Sequence, residues 1–374
     1  MLRRTVREFA EREIAPRVLE LDEKEEFSCD LTLAMGELGL FGMIVSPEYG
    51  GQGLDYLSYI IAVEEIARVN GSQAATVTAA NSLGIGPLYY YGSEAQKHRY
   101  LPDLCAGKHL WGFGLTEPGA GSDAGGTRTT ARLEGDRWII NGSKIFITNA
   151  ATPMTAGSTV QCVTGTRPDG TKEHSCIIVE QDTPGLTARS MHRKLVWRAS
   201  NTAEIFFDNV SVPRENLVGE RGAGFHQMLA TLDSGRLSIA AMGLGGAQGA
   251  FEAALAYARQ RQQFGKPIGQ FQANAFKLAD MATEIETTRN LVYKACWMRD
   301  QGRPFRKEAA MAKLWASEVM RRVTHAAVQI FGGYGLMEEY PVARFYRDQR
   351  LLEIGEGTSE VQRLVISRLL GCYD

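Results

Sequence analysis

Long apolar runs are missing from this 374-residue chain; none approaches the ~20 residues a bilayer-spanning helix needs. The six cysteines, Cys29, Cys105, Cys162, Cys176, Cys296 and Cys372, never fall in a Cys-x-x-Cys pair. That argues against a zinc knuckle or a disulfide framework and fits a reducing compartment. The histidines show no His-x-x-x-His pairing, so no metal site is expected. Gly-x-x-x-x-Gly-Lys-Ser/Thr and Gly-x-Ser-x-Gly are both missing, which removes the commonest nucleotide hydrolase and α/β-hydrolase readings. A net charge of -2 gives no electrostatic reason for nucleic acid or an anionic membrane as partner. Met1-Leu2-Arg3-Arg4 leads into charged amphipathic sequence without an apolar signal core, and a cytoplasmic location is expected. A processed organellar form, in the mitochondrial matrix, is the other option.

What remains is an ordinary globular composition, 44% hydrophobic and 22% charged, long enough for two or three domains. Residues 1–110 read as helices. Leu2, Val6, Phe9 and Ala10 recur at helical spacing before Pro16 interrupts. Leu57 to Val69 and Ala74 to Tyr91 follow as further apolar stretches. From Trp111 the character changes, and residues 111–222 alternate as an antiparallel β domain. Turns are expected at Glu134-Gly135-Asp136, Asn141-Gly142 and Pro168-Asp169-Gly170, with a further strand at Glu204 to Phe207. Residues 223–374 return to helix, with long periodic runs from Ile239 to Phe264, Phe271 to Gln301 and Arg306 to Phe331. Short connections between them predict an antiparallel four-helix bundle. The expected class is thus α+β multidomain: helical, β, helical.

Two segments carry chemistry. Ile354-Gly355-Glu356-Gly357-Thr358 sets one carboxylate between two glycines, before a Thr able to cap a last helix. Glycines admit close approach of a flat ligand and unusual backbone angles. The second segment, Leu115-Thr116-Glu117-Pro118-Gly119-Ala120-Gly121-Ser122-Asp123, formally holds a dinucleotide fingerprint. That fingerprint requires a strand feeding a helix, whereas β sequence follows here, so a Rossmann reading is rejected. What is left is a loop of exposed N–H groups with hydroxyls at Thr116 and Ser122, suited to a flavin edge or a phosphate.

Together with Ile145 to Asn149, Arg261 to Gly265 and Gln329 to Gly335, these segments occur in the order and spacing of the acyl-CoA dehydrogenases, a resemblance that covers the whole chain. The resemblance implies FAD as cofactor and an acyl-CoA thioester as substrate. It further implies an electron-transfer flavoprotein as acceptor and a homotetramer, or at least a dimer. It makes Glu356 the base that removes the α-proton. Leu115, Thr116 and Ser122 become the loop around the flavin and CoA, and Phe146, Ile147 and Thr148 a strand over the ring. Arg261, Phe264 and Gln272 would hold the FAD diphosphate and adenosine, with Gln329, Gly332 and Gly333 touching a neighbouring subunit's FAD. Asp233 and Arg236 would lie beside the substrate with Gly355 and Gly357, and Thr358 and Glu360 near the cofactor.

Singly, each residue has a plainer reading. Arg261 is a surface charge, Asp233 and Arg236 are an i,i+3 pair, Gly332-Gly333 is a helix stop, and Phe146 is core. Gly355 departs from the Tyr common before the base, which hints at a bulky or branched acyl group; the Phe305–Lys313 segment points instead to the short-chain branch. Three alternatives stay open. One is a same-fold oxidase, one a dehydrogenase of carrier-protein thioesters or nitroalkanes, and one a non-catalytic helical binding protein.

Overall fold

The computed structural model describes residues 1–373. The helical opening comprises α1 (Leu2–Phe9), α2 (Val18–Lys24), α3 (Cys29–Glu37), α4 (Tyr56–Ala67), α5 (Gly71–Thr78), α6 (Gly86–Tyr91) and α7 (Glu94–Cys105). Its starts are written in local chemistry. Asp55 caps α4 through Ser58 N–H at 2.7 Å and Asn70 caps α5 through Gln73 N–H at 2.8 Å, while Ser93 and Gln96 form a reciprocal capping box on α7. Pro16 interrupts as expected, in a short 3₁₀ turn between α1 and α2.

The sheet follows, with β1 (Leu110–Gly114), β2 (Thr130–Glu134), β3 (Arg137–Thr148), β4 (Thr155–Thr166), β5 (Lys172–Glu180), β6 (Leu186–Ser190), β7 (Thr202–Pro213) and β8 (Leu217–Val218). Its order is β6-β7-β3-β2-β4-β5-β8, antiparallel apart from a single β2–β4 bridge and from β1, which adds parallel to β4. The turns at Gly135-Asp136 and Pro168-Asp169-Gly170 join strands as expected. Asn141-Gly142 does not. It lies inside β3, where the register to β7 slips between Ile140 and Gly142. A Cβ on Gly142 would stand 2.6 Å from the Thr129 hydroxyl, so this glycine serves a close strand approach rather than a hairpin.

The closing helices are α8 (Gly224–Gln260), α9 (Gln272–Asp300), α10 (Arg306–Phe331), α11 (Pro341–Asp348) and α12 (Ser359–Leu369), with a small hairpin of β9 (Gln262–Gln263) and β10 (Lys266–Pro267). Helix α8 starts at Gly224, where the return to helix is expected, and the periodic run from Ile239 is its later part. It ends before Phe264, because Phe264 and Gly265 both take positive φ, 50° and 77°, as a two-residue hairpin turn demands.

One apolar core runs from the N-terminal helices through α8, α9 and α10, so the two helical segments pack as one body around the sheet's own smaller core. Buried Glu64 and Glu65 of α4 reinforce that union. Glu65 takes Arg7 of α1 at 2.7 Å and Glu64 takes Arg289 of α9 at 3.2 Å. Both acids are paired, which is what burial of a carboxylate requires.

Candidate active site

Glu356 stands on the connection between Leu352 and α12, with φ at 51°. Strained non-glycine backbone of this kind is held only where the surroundings over-determine it. The surroundings do so here. Thr358 caps α12 by accepting Val361 N–H at 3.2 Å. Gln362 Nε2 donates to the Gly357 carbonyl at 2.9 Å and to that of Glu356 at 3.3 Å. Lys313 Nζ, from the middle of α10, donates to the Gly357 carbonyl at 2.7 Å. Three side chains therefore pin the loop from below.

The carboxylate itself is left without such ties. Oε2 of Glu356 is out of contact with solvent and has no hydrogen-bond partner among the described residues. Burial pushes this carboxyl up to about 7, against the opposing charges of Lys313 and Arg236. Buried carboxylates normally find donors, so an orphaned one raised to neutrality marks a site. The backbone N–H of Glu356 also makes no hydrogen bond among the described residues.

Room for the carboxylate comes from α8. A Cβ on Gly235 would fall well inside contact distance of Glu356 Oε2. Beside it, Arg236 Nη1 donates to Asp233 at 2.5 Å, and Arg306 reaches the other Asp233 oxygen at 3.2 Å. The i,i+3 pair is thus real, and the buried Arg236 Nε has no partner among the described residues. A Cβ on Gly355 would point at Leu351, 3.1 Å from its Cδ2. Glu360 is exposed in the first turn of α12.

The Leu115–Asp123 loop leaves β1, closes a tight bridge between Glu117 and Ala120, and reaches β2 through a single 3₁₀ turn at Ala124–Gly126, with no α-helix between. A buried ion pair braces it. Lys144 Nζ donates to Glu117 at 2.8 Å and to the Leu115 carbonyl at 3.1 Å, and Glu117 accepts N–H groups of Arg128 and Thr129. Although burial opposes it, these bonds hold the Glu117 carboxyl below its ordinary range. The outer side of the loop is unspent. The Thr116 N–H and the hydroxyls of Thr116, Ser122 and Thr148 make no hydrogen bond within the described residues, and nothing faces Gly119 or Gly121. Phe146, at φ 61°, is 61% exposed rather than core, while Ile147 is buried beneath it. Free donors beside an exposed aromatic fit a flavin ring edge, and these are the residues present to hold one.

Arg261, Phe264, Gln272, Gln329, Gly332 and Gly333 gather elsewhere, on the surface at the far end of α8. Arg261 lies over the Tyr334 ring at 5.8 Å and Phe264 meets Phe271 at 6.0 Å. Phe264 is 94% exposed. Twenty-five helical residues from Arg236 correspond to about 37 Å, so this group stands apart from Glu356. Lys313, Gln362, Gly235 and the Glu117–Lys144 pair escaped the sequence reading. A lone Lys among Ala309, Ala312 and Ala316 on an apolar helix face was the one signal for Lys313.

Comparison with known proteins agrees along the whole chain. The N-terminal, middle and C-terminal domain models of acyl-CoA dehydrogenase match residues 1–108, 112–210 and 222–371. A probable acyl-CoA dehydrogenase of Bacillus subtilis is 53% identical, covering 99% of this chain and 97% of the relative. The short-chain specific acyl-CoA dehydrogenase of Clostridium acetobutylicum is 47% identical over 98% and 96%. The butyryl-CoA dehydrogenase of Megasphaera elsdenii superposes with a TM-score of 0.95 at 44% identity, over 99% and 97%. A chain solved in work on the electron transferring flavoprotein of Acidaminococcus fermentans gives the same score, identity and coverage. With three domain models in register and relatives this close, the chain belongs to the acyl-CoA dehydrogenase family.

Proposed function

We propose that the protein oxidises an acyl-CoA thioester to the 2-enoyl-CoA, with Glu356 taking the α-proton and electrons leaving to an electron-transfer flavoprotein. One observation carries the reading. Glu356 presents a buried carboxylate oxygen with no partner and with its proton affinity raised to about 7. Such a group accepts a proton near neutral pH, where a solvated carboxylate is too weak a base.

FAD, when bound, supplies the acceptor for the β-hydride. The chain's own part is to place and polarise. Thr116, Ser122 and Thr148 offer free donors, and Phe146 offers an exposed ring face. The unpaired N–H of Glu356 suits the thioester oxygen, where charge develops as the α-proton leaves. Lys313 and Gln362 hold the loop that carries the base, each donating to backbone carbonyls and neither to the carboxylate. Arg236, bonded to Asp233, limits the rise in basicity from one side.

The distant Arg261–Phe264 and Gln329–Gly333 group supports a homo-oligomer, tetramer or dimer, in which one chain's surface completes its neighbour's flavin site. No helix among the described residues is long and apolar enough to cross a membrane, and cytoplasmic residence is part of the proposal.

Anaerobic absorbance titration with a panel of acyl-CoAs tests the reading. The flavin band of the wild type bleaches with at least one thioester. Glu356→Gln still binds that thioester, and its bleaching slows by at least about a thousandfold. Bleaching of the variant at the wild-type rate would assign the base elsewhere.

A further inference from the structure

The Glu117–Lys144 pair takes no part in moving the proton, yet both side chains are almost wholly buried. A buried ion pair gives little stability over an apolar pair of the same volume. What this one fixes is the backbone of the Thr116 loop. Lys144 stands on β3 just before a break in the ladder, where the register to β7 slips and resumes at Ile147. Bulges of this kind re-aim a strand's groups. In the gap Phe146 takes its positive φ and turns outward, and the Ile145 N–H donates to the Thr116 carbonyl at 2.9 Å.

Lys144 Nζ donates to the Leu115 carbonyl at 3.1 Å. In a trans peptide the carbonyl and the following N–H point opposite ways. With the Leu115 oxygen drawn inward to Lys144, the Thr116 N–H is turned away from it, and there it makes no hydrogen bond among the described residues. Since the Thr116 carbonyl is drawn to β3 as well, the peptides on both sides of Thr116 are fixed. Glu117 is the counter-ion, 2.8 Å from Lys144 Nζ. It also accepts the N–H groups of Arg128 and Thr129 at 2.7 and 3.0 Å, which ties the loop to the approach to β2. The ammonium is thus held against the Leu115 carbonyl with its charge balanced from the same loop.

We propose that Lys144 is a positioning residue for the flavin, holding the Leu115–Thr116 peptide so that the Thr116 N–H points at the ring edge. This rests on the flavin reading above and adds to it the residue that aims the donor. A flavin ring gains negative charge on reduction, so an N–H fixed at its edge favours the reduced form. Without Lys144 the peptide is free to turn, and the donor has to be ordered again whenever the cofactor binds.

The test compares wild type with the double variant Lys144→Met, Glu117→Gln, which removes both charges together and leaves no unpaired ion in the sheet. The dissociation constant of FAD and the two-electron midpoint potential of the bound flavin are measured without substrate. In the double variant FAD binds about fivefold more weakly, the worth of one hydrogen bond. Reduced flavin loses at least about tenfold more affinity than oxidised flavin, which lowers the potential by about 30 mV. Trp138→Phe is the control for a loosened sheet. It breaks the bond from Trp138 Nε1 to the Arg214 carbonyl, 3.2 Å, at the other end of β3, and lowers Tm while the potential stays. A potential equal to wild type in the double variant overturns the proposal. So does an equal fall in Trp138→Phe, which would make the potential a report of stability alone. Should the double variant not fold, hydrogen exchange on the wild type decides. The Thr116 amide, open in the apoprotein, becomes protected when FAD is added, and unchanged exchange there overturns the proposal. A wild type that takes up no FAD is a separate result, read first; it removes the flavin reading and this inference with it.

Discussion

Glu356 and Lys313 set each other's proton affinity. Burial pushes the carboxyl up to about 7, and burial likewise brings the Lys313 ammonium down to about 8 against the attraction of Glu356. The base acts deprotonated, so kcat/KM rises with pH through the free enzyme's value near 7 and levels above it. Lys313→Met removes a cation that favours the ionised carboxylate. The rising limb then moves alkaline by at least about half a unit, measured as kcat/KM against pH. The Gly357 carbonyl keeps Gln362 as donor at 2.9 Å, so the loop retains an anchor in that variant. A limb that stays in place would mean that Lys313 only supports the loop. Glu356 became a candidate from the sequence through its two glycines and capping Thr taken together with the other family-like segments. Lys313 did not, because its value depends on which loop crosses α10, and nothing local to α10 encodes that.

At the scale of the element, α8 shows what apolar periodicity leaves out. Asp233, Ser234 and Gly235 are weak helix formers, and a glycine inside a helix costs about 1 kcal/mol relative to Ala. The apolar periodicity is plain only from Ile239, whereas the helix runs unbroken from Gly224 to Gln260. The same glycine is what leaves room for the Glu356 carboxylate. By propensity alone Gly235→Ala should stabilise α8. Because the new methyl occupies the place of Glu356 Oε2, we expect kcat to fall by at least about tenfold, with Tm within a few degrees of wild type. Steady-state kinetics beside a melting curve check this, and unimpaired turnover would show that the carboxylate acts from another position. The Asn141-Gly142 reading failed for a related reason. A dipeptide common in hairpin turns was there to let β3 pass close to Thr129, and only the folded sheet separates those two uses.

At the scale of the whole molecule, the order helical, β, helical was written in the alternation of apolar periods. The merging of both helical segments into one core was not, because Glu64 and Glu65 meet Arg7 and Arg289 across more than fifty positions of sequence. The surface at the far end of α8 raises a further question of assembly. Phe264 is 94% and Leu336 75% exposed there, with Tyr334 and Met337 also open, and clustered apolar exposure of this kind marks an interface. Arg261 sits among them with no carboxylate partner among the described residues, about 37 Å along α8 from Arg236. If this face covers a neighbouring chain and steadies its FAD, assembly and flavin retention must fail together. The double variant Phe264→Ser, Leu336→Glu is expected to sediment as a smaller species than wild type and to lose FAD on gel filtration. Because neither side chain touches Glu356 or the Thr116 loop, flavin loss in that variant requires a contact made between chains. A monomer that keeps its full flavin content would instead confine the cofactor to the residues of one chain, and Arg261 would revert to an ordinary surface charge.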